Sequence, residues 1–376
     1  MQNRIAVEPY ARPGVVEGGR GRKSVPPEKP EPFAVALDRK SRASVEALAQ
    51  WHALSAGAAP LISPDFVRLT ARLLGERDIT LFGARRGGAI TAALPMARHG
   101  RTLRAVHGAH TPRVDLLGEP TSIPALWRAL SESGGWDVLE LRAVPSDSPL
   151  SQMLPELARA DRCRVRVEET SRAPWFLVDG IEQRVHRRFR GDMRRLERQM
   201  GGVELERITA FDRAALADMV RLEAAAWKGA AGTAIACDAR LAAFYVALAR
   251  VFARKGALSL AFLRARGARI AGQFALEDAT TVHLMKVGYD PAYAHFGPGQ
   301  ILVRETAADA ANRGLRRYDM LGQDTAWKMK WTNEVRPHVK ITIYAPSPGG
   351  GVRHFVREIA RPLAGRALRR LRRGAG

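Results

Sequence analysis

An α/β protein built from two similar halves is the fold class that this sequence predicts, and three observations predict it. Short paired strands recur twice ahead of a helix. Both helices stop at glycine. Each is followed by an apolar strand with aspartate in second place, Trp136-Asp137-Val138-Leu139 in one half and Tyr318-Asp319-Met320-Leu321 in the other. With 376 residues and 46% hydrophobic content, the chain is long enough for about two domains with sizeable cores.

Residues 1–32, rich in Pro, Gly, Arg and Glu, are too polar and Pro-broken to bury a core and are expected to form a disordered leader. The first half is expected over 33–175, the second over 176–345, and a basic tail over 346–376. Helices are expected around Val45–Leu54 and Pro64–Leu74, the second with Ser63 as N-cap and proline in its first turn. Ile79–Ala84 and Ala89–Met96 read as strands joined by Arg85-Arg86-Gly87-Gly88, whose glycines supply the positive φ of a tight hairpin. After an irregular stretch from Arg101 to Glu119, a helix from Ile123 to about Ser133 stops at Gly134-Gly135 and leads into the strand Trp136–Leu141. Between the halves, Val185, Phe189, Met193, Leu196 and Met200 recur at three- and four-residue spacing with arginines on the other face. This is an amphipathic linker helix whose stripe is expected to pack on one half. Phe211–Ala226 and Ala239–Ala253 read as helices around the loop Trp227–Ala234. Strands follow at Leu258–Ala265, Arg269–Leu276 and Thr281–Val287, then a helix from Pro298 to Arg313 and the strand at Tyr318.

The formal charge is +22, from 60 Lys plus Arg against 38 Asp plus Glu, concentrated at Arg184–Arg198 and Arg353–Arg373. Basic and aromatic residues do not interleave as in a base-stacking platform, so an arginine-rich solvated surface is preferred to nucleic-acid binding. Two distant cysteines, Cys163 and Cys237, support neither a disulfide framework nor a zinc site. No signal-peptide or bilayer-spanning run is evident, so a cytoplasmic location is expected. His107, His110, His283 and His295 lack a metal-ligand pattern such as HExxH and read as loop or core histidines; no metal is expected. Neither a GxSxG elbow nor a Walker loop occurs.

The stretch Thr281–Leu321 reads strand, loop, helix, strand. At the loop end, Gly297 permits close approach of a ligand, Pro298 fits the first helical position, and the helix N-terminus at Gly299 is suited to an anion such as a pyrophosphate. A dinucleotide-binding turn is disfavoured, because Leu302 stands where a third Gly or Ala belongs and about ten residues separate strand from glycines, whereas that turn follows its strand at once. An ordinary Gly-Pro-capped loop is the structural alternative.

Lys286-Val287-Gly288-Tyr289-Asp290, Phe296-Gly297-Pro298-Gly299-Gln300-Ile301-Leu302, Tyr318-Asp319-Met320-Leu321-Gly322, Trp327-Lys328 and Trp331 together resemble the CelD-like acetyltransferases. These belong to the GNAT superfamily and lie close to the FemAB-like aminoacyltransferases. Trp227-Lys228-Gly229 with Gly232-Thr233-Ala234 fits the same pattern. The resemblance implies a tandem GNAT-like acyl-CoA N-acyltransferase fold, a mixed sheet flanked by helices in each half, with the coenzyme site kept only in the second. It implies acetyl-CoA as co-substrate, bound through Val287, Gly288, His295, Phe296, Gly297, Pro298, Gly299, Gln300 and Ile301, and a small-molecule or saccharide acceptor linked to cellulose or other exopolysaccharide synthesis. One departure is Ala294, where the family's pyrophosphate loop carries Gln or Arg.

Acyl transfer from a thioester needs a base for the acceptor, donors for the oxyanion and an acid for the thiolate. Glu277 and Asp319 are the candidate carboxylates, Asp319 with a pKa expected to rise by desolvation in its apolar strand. Lys328 is a candidate for docking an anionic substrate group and Tyr289 for protonating the thiolate. The tail from Val352 to Leu371 mixes apolar residues with arginines and is a candidate for contact with an anionic membrane on the cytoplasmic face. Two other readings stay open: an aminoacyl-tRNA-dependent transferase, and a noncatalytic basic binding protein on the same scaffold.

Overall fold

A computed structural model of the chain describes residues 28–37, 41–75, 78–108, 110–225, 232 and 234–360. Most of the expected leader, the loop residues Trp227, Lys228, Gly229 and Thr233, and the tail beyond Ala360 lie outside the described residues.

The strands are β1 (Glu31–Ala36), β2 (Ile79–Arg86), β3 (Ala89–His99), β4 (Thr102–Ala105), β5 (Leu117–Gly118), β6 (Val138–Pro145), β7 (Arg164–Leu177), β8 (Glu204–Ile208), β9 (Leu258–Ala265), β10 (Ala268–Glu277), β11 (Thr281–Tyr289), β12 (Arg317–Asp319) and β13 (Val335–Tyr344). The helices are α1 (Arg42–Leu54), α2 (Pro64–Leu74), α3 (Ile123–Glu132), α4 (Pro149–Ala160), α5 (Ile181–Arg184), α6 (Arg187–Gln199), α7 (Arg213–Ala225), α8 (Ala239–Arg254), α9 (Pro298–Asn312) and α10 (Pro348–His354). Local chemistry explains the starts. Ser63 accepts from the Phe66 amide at α2, Asp212 from the Ala214 and Ala215 amides at α7, and Asp238 from the Arg240 and Leu241 amides at α8. The expected linker helix is α6, which starts at Arg187, after the extended first stripe residue Val185; Val185, Met193 and Met200 are buried in the core of the second half.

Thirteen strands form one mixed sheet in the order β1-β2-β3-β4-β6-β13-β7-β12-β11-β10-β9-β8, with β5 beside β3. Among the described residues it has two parallel ladders, β4–β6 and β11–β12, each following an antiparallel pair, so one strand topology occurs in each half. The aspartate tetrads are nevertheless out of register. Val138 and Arg317 open the equivalent ladders, so Asp137 precedes its strand while Asp319 closes its own. β13 comes from residues expected in the second half yet lies between β6 and β7 of the first. β7 serves both sides: Arg164–Pro174 pairs with β13 and Trp175–Leu177 with β12. Helices cover both faces of the sheet. α6 and α9 bury one face of the second half, α7 and α8 the other.

α2 of the first half packs on α8 of the second. Phe66 is fully buried there, its ring 5.8 Å edge-on from Phe244 and 6.5 Å from Phe252. Among the described residues no helix is long and apolar enough to cross a membrane. Phe66→Ala is expected to cost about 3–5 kcal/mol, as for large-to-small changes in cores. The check is urea unfolding, where one lowered transition, not a separate early one, is expected because the cavity sits where the halves share a core.

Candidate active site

β11 and β12 pair only over Thr281–His283 and Arg317–Asp319; β11 then runs on through Tyr289 while β12 ends. The turn that ends β12 is held in place. Asp319 accepts the Leu321 amide at 3.0 Å, Leu321 and Gly322 take positive φ of 50° and 63°, and Lys328 Nζ donates to the Leu321 carbonyl. A non-glycine residue at positive φ is costly and persists only when its surroundings enforce it. The strands therefore part.

α9 starts at the end of the sheet reached by the extended part of β11. Gly297 is its N-cap at φ 61° and ψ 44°, Pro298 fills the first position, and no side chain caps the helix. The Gly297 carbonyl takes the Gln300 and Ile301 amides. Ile301 is fully buried and anchors the turn; Gln300 accepts the Trp331 indole N–H at 2.6 Å and donates to the Trp327 carbonyl at 3.4 Å. A β-carbon on Gly299 would stand 3.6 Å from the Tyr289 ring, so Tyr289 lines the same turn. Val287 and Tyr289 pack against the α9-side core, while His295 is exposed beside the half-buried Phe296, their rings 3.8 Å apart. Gly288 answers a packing demand, since a β-carbon there would lie 2.4 Å from Glu223 Cα on α7.

Other expected residues lie elsewhere or behave otherwise. Glu277 sits at the opposite end of α9, buried and bonded by Arg313 at 2.8 and 3.0 Å and by Arg207 at 2.8 Å. Lys328 is turned to the Leu321 carbonyl and the Trp327 ring. For Asp319 the expected direction of shift is corrected. Burial does push its pKa up, but attraction to His283, the Leu321 amide and Arg336 outweigh burial and hold it below its usual value.

Two polar groups have partners that the sequence did not show, although His283 is a core histidine as expected. His283, buried on β11, bonds Asp278 through Nε2 at 2.9 Å, and its Nδ1 lies 3.8 Å from the Asp319 carboxylate without a hydrogen bond. Burial lowers the His283 pKa, yet the two aspartates outweigh it and raise it; Asp278 falls to about 2. The second group lies on the α7 and α8 face. Fully buried Glu223 accepts from Lys286 Nζ at 3.1 Å and from the Ile235 amide at 2.9 Å. Tyr245, with Lys286 5.9 Å from its ring centre, reaches His110 of the first half at 3.3 Å. Burial and then Glu223 keep that phenol protonated. Lys286 was legible as part of the Lys-Val-Gly-Tyr-Asp run; nothing in the sequence pointed to Glu223 or His110. A cleft of about 360 Å³ near Asp65, Arg68 and Val251 takes no residue from β11, β12 or α9.

In the first half the edge of β6 beyond β4 is filled. After β4 ends at Ala105 the chain returns to β6, where the Val114 amide bonds the Ala143 carbonyl at 3.0 Å. Parted parallel strands beside a helix N-terminus, on a duplicated mixed sheet, define a tandem GNAT-like fold. Residues 183–329 match the family described as "Acetyltransferase (GNAT) domain". Among solved structures the chain is similar to FemX, at 11% identity and TM-score 0.58 over 85% of this chain and 99% of that one. It is also similar to a conserved protein of unknown function from Bacteroides thetaiotaomicron VPI-5482, at 14% identity and TM-score 0.56 over 79% and 97%. At these identities the likeness is one of fold. No curated protein matches the chain.

The His283 array makes stability depend on pH in a signed way. A raised histidine pKa contributes stability that is complete below 6.5 and fades as pH rises through the raised value. A lowered aspartate contributes stability present above 3.8 and lost toward about 2, an effect of about 2 kcal/mol for Asp278. Urea midpoints of the native chain should therefore fall on both sides of that window, and His283→Gln should flatten both limbs.

Proposed function

We propose that the chain is a cytoplasmic acyltransferase that moves an acetyl or other acyl group from coenzyme A to an amine or hydroxyl acceptor, a saccharide or cell-envelope component. In this reading residues 176–345 carry the coenzyme and the first half is a degenerate partner. The observation that carries it is the parting of β11 from β12 beside the N-terminus of α9. Parted strands admit a narrow, extended thioester arm between their backbones, and the helix end suits a pyrophosphate. The family match over residues 183–329 supports the same class of chemistry.

The coenzyme phosphates would rest on Gly297–Ile301, with Tyr289 and Phe296 flanking them and Tyr289 placed to return a proton to the thiolate. The acceptor would approach from the α7 and α8 face. There its nitrogen or oxygen would bond to the thioester carbon as its proton passes to water, the carbon–sulfur bond would break, and the sulfur would leave as thiolate to take the Tyr289 proton, which water would restore. Lys286 suits the developing oxyanion: Glu223 holds its ammonium group, which spends one of three donors on that contact. Asp319, kept ionised by His283, serves by holding the Leu321 turn that keeps the strands apart.

Thermal unfolding with acetyl-CoA tests the reading. A ligand at about 100 times its dissociation constant adds about 2.7 kcal/mol to the native chain. Gly299→Trp, which fills the turn against Tyr289, should remove that gain. Lys286→Met should keep it while lowering thioester turnover by about a hundredfold or more. A native chain that acetyl-CoA leaves unshifted would sink the coenzyme reading.

A further inference from the structure

The last described helix is built with its polarity reversed. α10 continues as a π-helical turn over Phe355–Ala360. Its polar side chains point to the sheet. Arg353 bonds Asp137 at 3.1 Å, Arg357 bonds Glu140 at 2.6 Å, and Glu358 contacts the Tyr344 hydroxyl and Arg166. Asp137 and Glu140 are buried carboxylates, each with further arginine partners, Arg101 for the first and Arg104 and Arg142 for the second. The helix is thus fastened in one orientation by charge, through a separate ion pair to each of two buried carboxylates.

That orientation turns the apolar stripe outward. Val352, Phe355, Val356 and Ile359, at the i, i+3, i+4, i+7 spacing of one helix face, are 63%, 56%, 39% and 41% exposed. Eight large apolar side chains stand exposed among the described residues, and these eight positions of the chain hold four of them. A monomer in water gains nothing by this arrangement. The sequence that follows, from Arg361 to Gly376, carries six arginines, Leu363, Leu368 and Leu371, and no acidic residue.

We propose that the outward face of Val352–Ile359, together with the arginines after it, docks the protein on an anionic lipid surface. The apolar stripe matches the acyl-chain boundary and the arginines match anionic headgroups, the two terms that hold an interfacial helix in the plane of a membrane. Because the ion pairs to Asp137 and Glu140 lock the helix on the sheet, docking would set the whole molecule's orientation rather than tether a loose tail. The inference is independent of the coenzyme reading.

The test is sedimentation of the full chain with vesicles of phosphatidylcholine alone and of phosphatidylcholine with phosphatidylglycerol. Binding to the anionic vesicles should exceed binding to the neutral ones by about tenfold or more and persist in part at high salt, since apolar insertion is unscreened. Phe355→Glu combined with Ile359→Glu should weaken it by about a hundredfold with an unchanged melting temperature. Phe355→Trp, which keeps the stripe, should shift its emission to the blue on anionic vesicles only. Equal binding by the double-glutamate variant, or binding without a blue shift, would overturn the proposal in favour of a diffuse basic surface. Failure of the native chain to bind, with self-association that the double variant abolishes, would overturn it in favour of a second copy on the stripe.

Discussion

The parallel ladder between β11 and β12 is three residues long, and the candidate site depends on its stopping there. Asp319 closes the ladder and at once takes the Leu321 amide, while Lys328 holds the Leu321 carbonyl, so the backbone is bent out of the strand from both sides. Had the ladder continued, the extended part of β11 would be covered on that edge and α9 would cap a closed sheet. His283 keeps Asp319 ionised for this task. A histidine buried between two aspartates inside the sheet is a costly arrangement that is tolerable because the carboxylates favour its protonated form, which raises its pKa.

Around that opening the two sheet faces divide the labour. On the α9 side, Ile301, Gln300 and the Trp331 indole fix the helix end through one apolar and one polar anchor. On the α7 side, Gly288 lets the backbone of Glu223 approach β11 so closely that Lys286 meets its carboxylate inside the protein. The Lys-Val-Gly-Tyr-Asp run thus alternates its work by the period-2 geometry of a strand: Val287 and Tyr289 face α9, Lys286 and Gly288 face α7.

The halves do not divide as the chain does. β13 returns to the first half, and β7 pairs with β13 on one edge and with β12 on the other, so the sheet is continuous across the boundary at residue 175. His110 and Phe66, both from the first half, touch Tyr245 and Phe244 on α8 of the second. The first half is in this way the wall against which the second is packed.

Local signals in the sequence determined most elements. Ser63-Pro64 set the start of α2, Gly87-Gly88 the first hairpin, Gly314 the stop of α9 and Gly297-Pro298 its start, because caps and positive φ act within a few residues. The loop at Gly297–Ile301 was legible for the same reason. Tertiary structure alone decided the partner of β13, the register that separates Asp137 from Asp319, the ion pairs that take Glu277 away to Arg207 and Arg313, and the meeting of Glu223 with Lys286. It also decided which face of Val352–Ile359 looks outward. Those outcomes rest on contacts between residues far apart in the chain, whose energies depend on what lies opposite and on how deeply it is buried, and no local pattern carries that information.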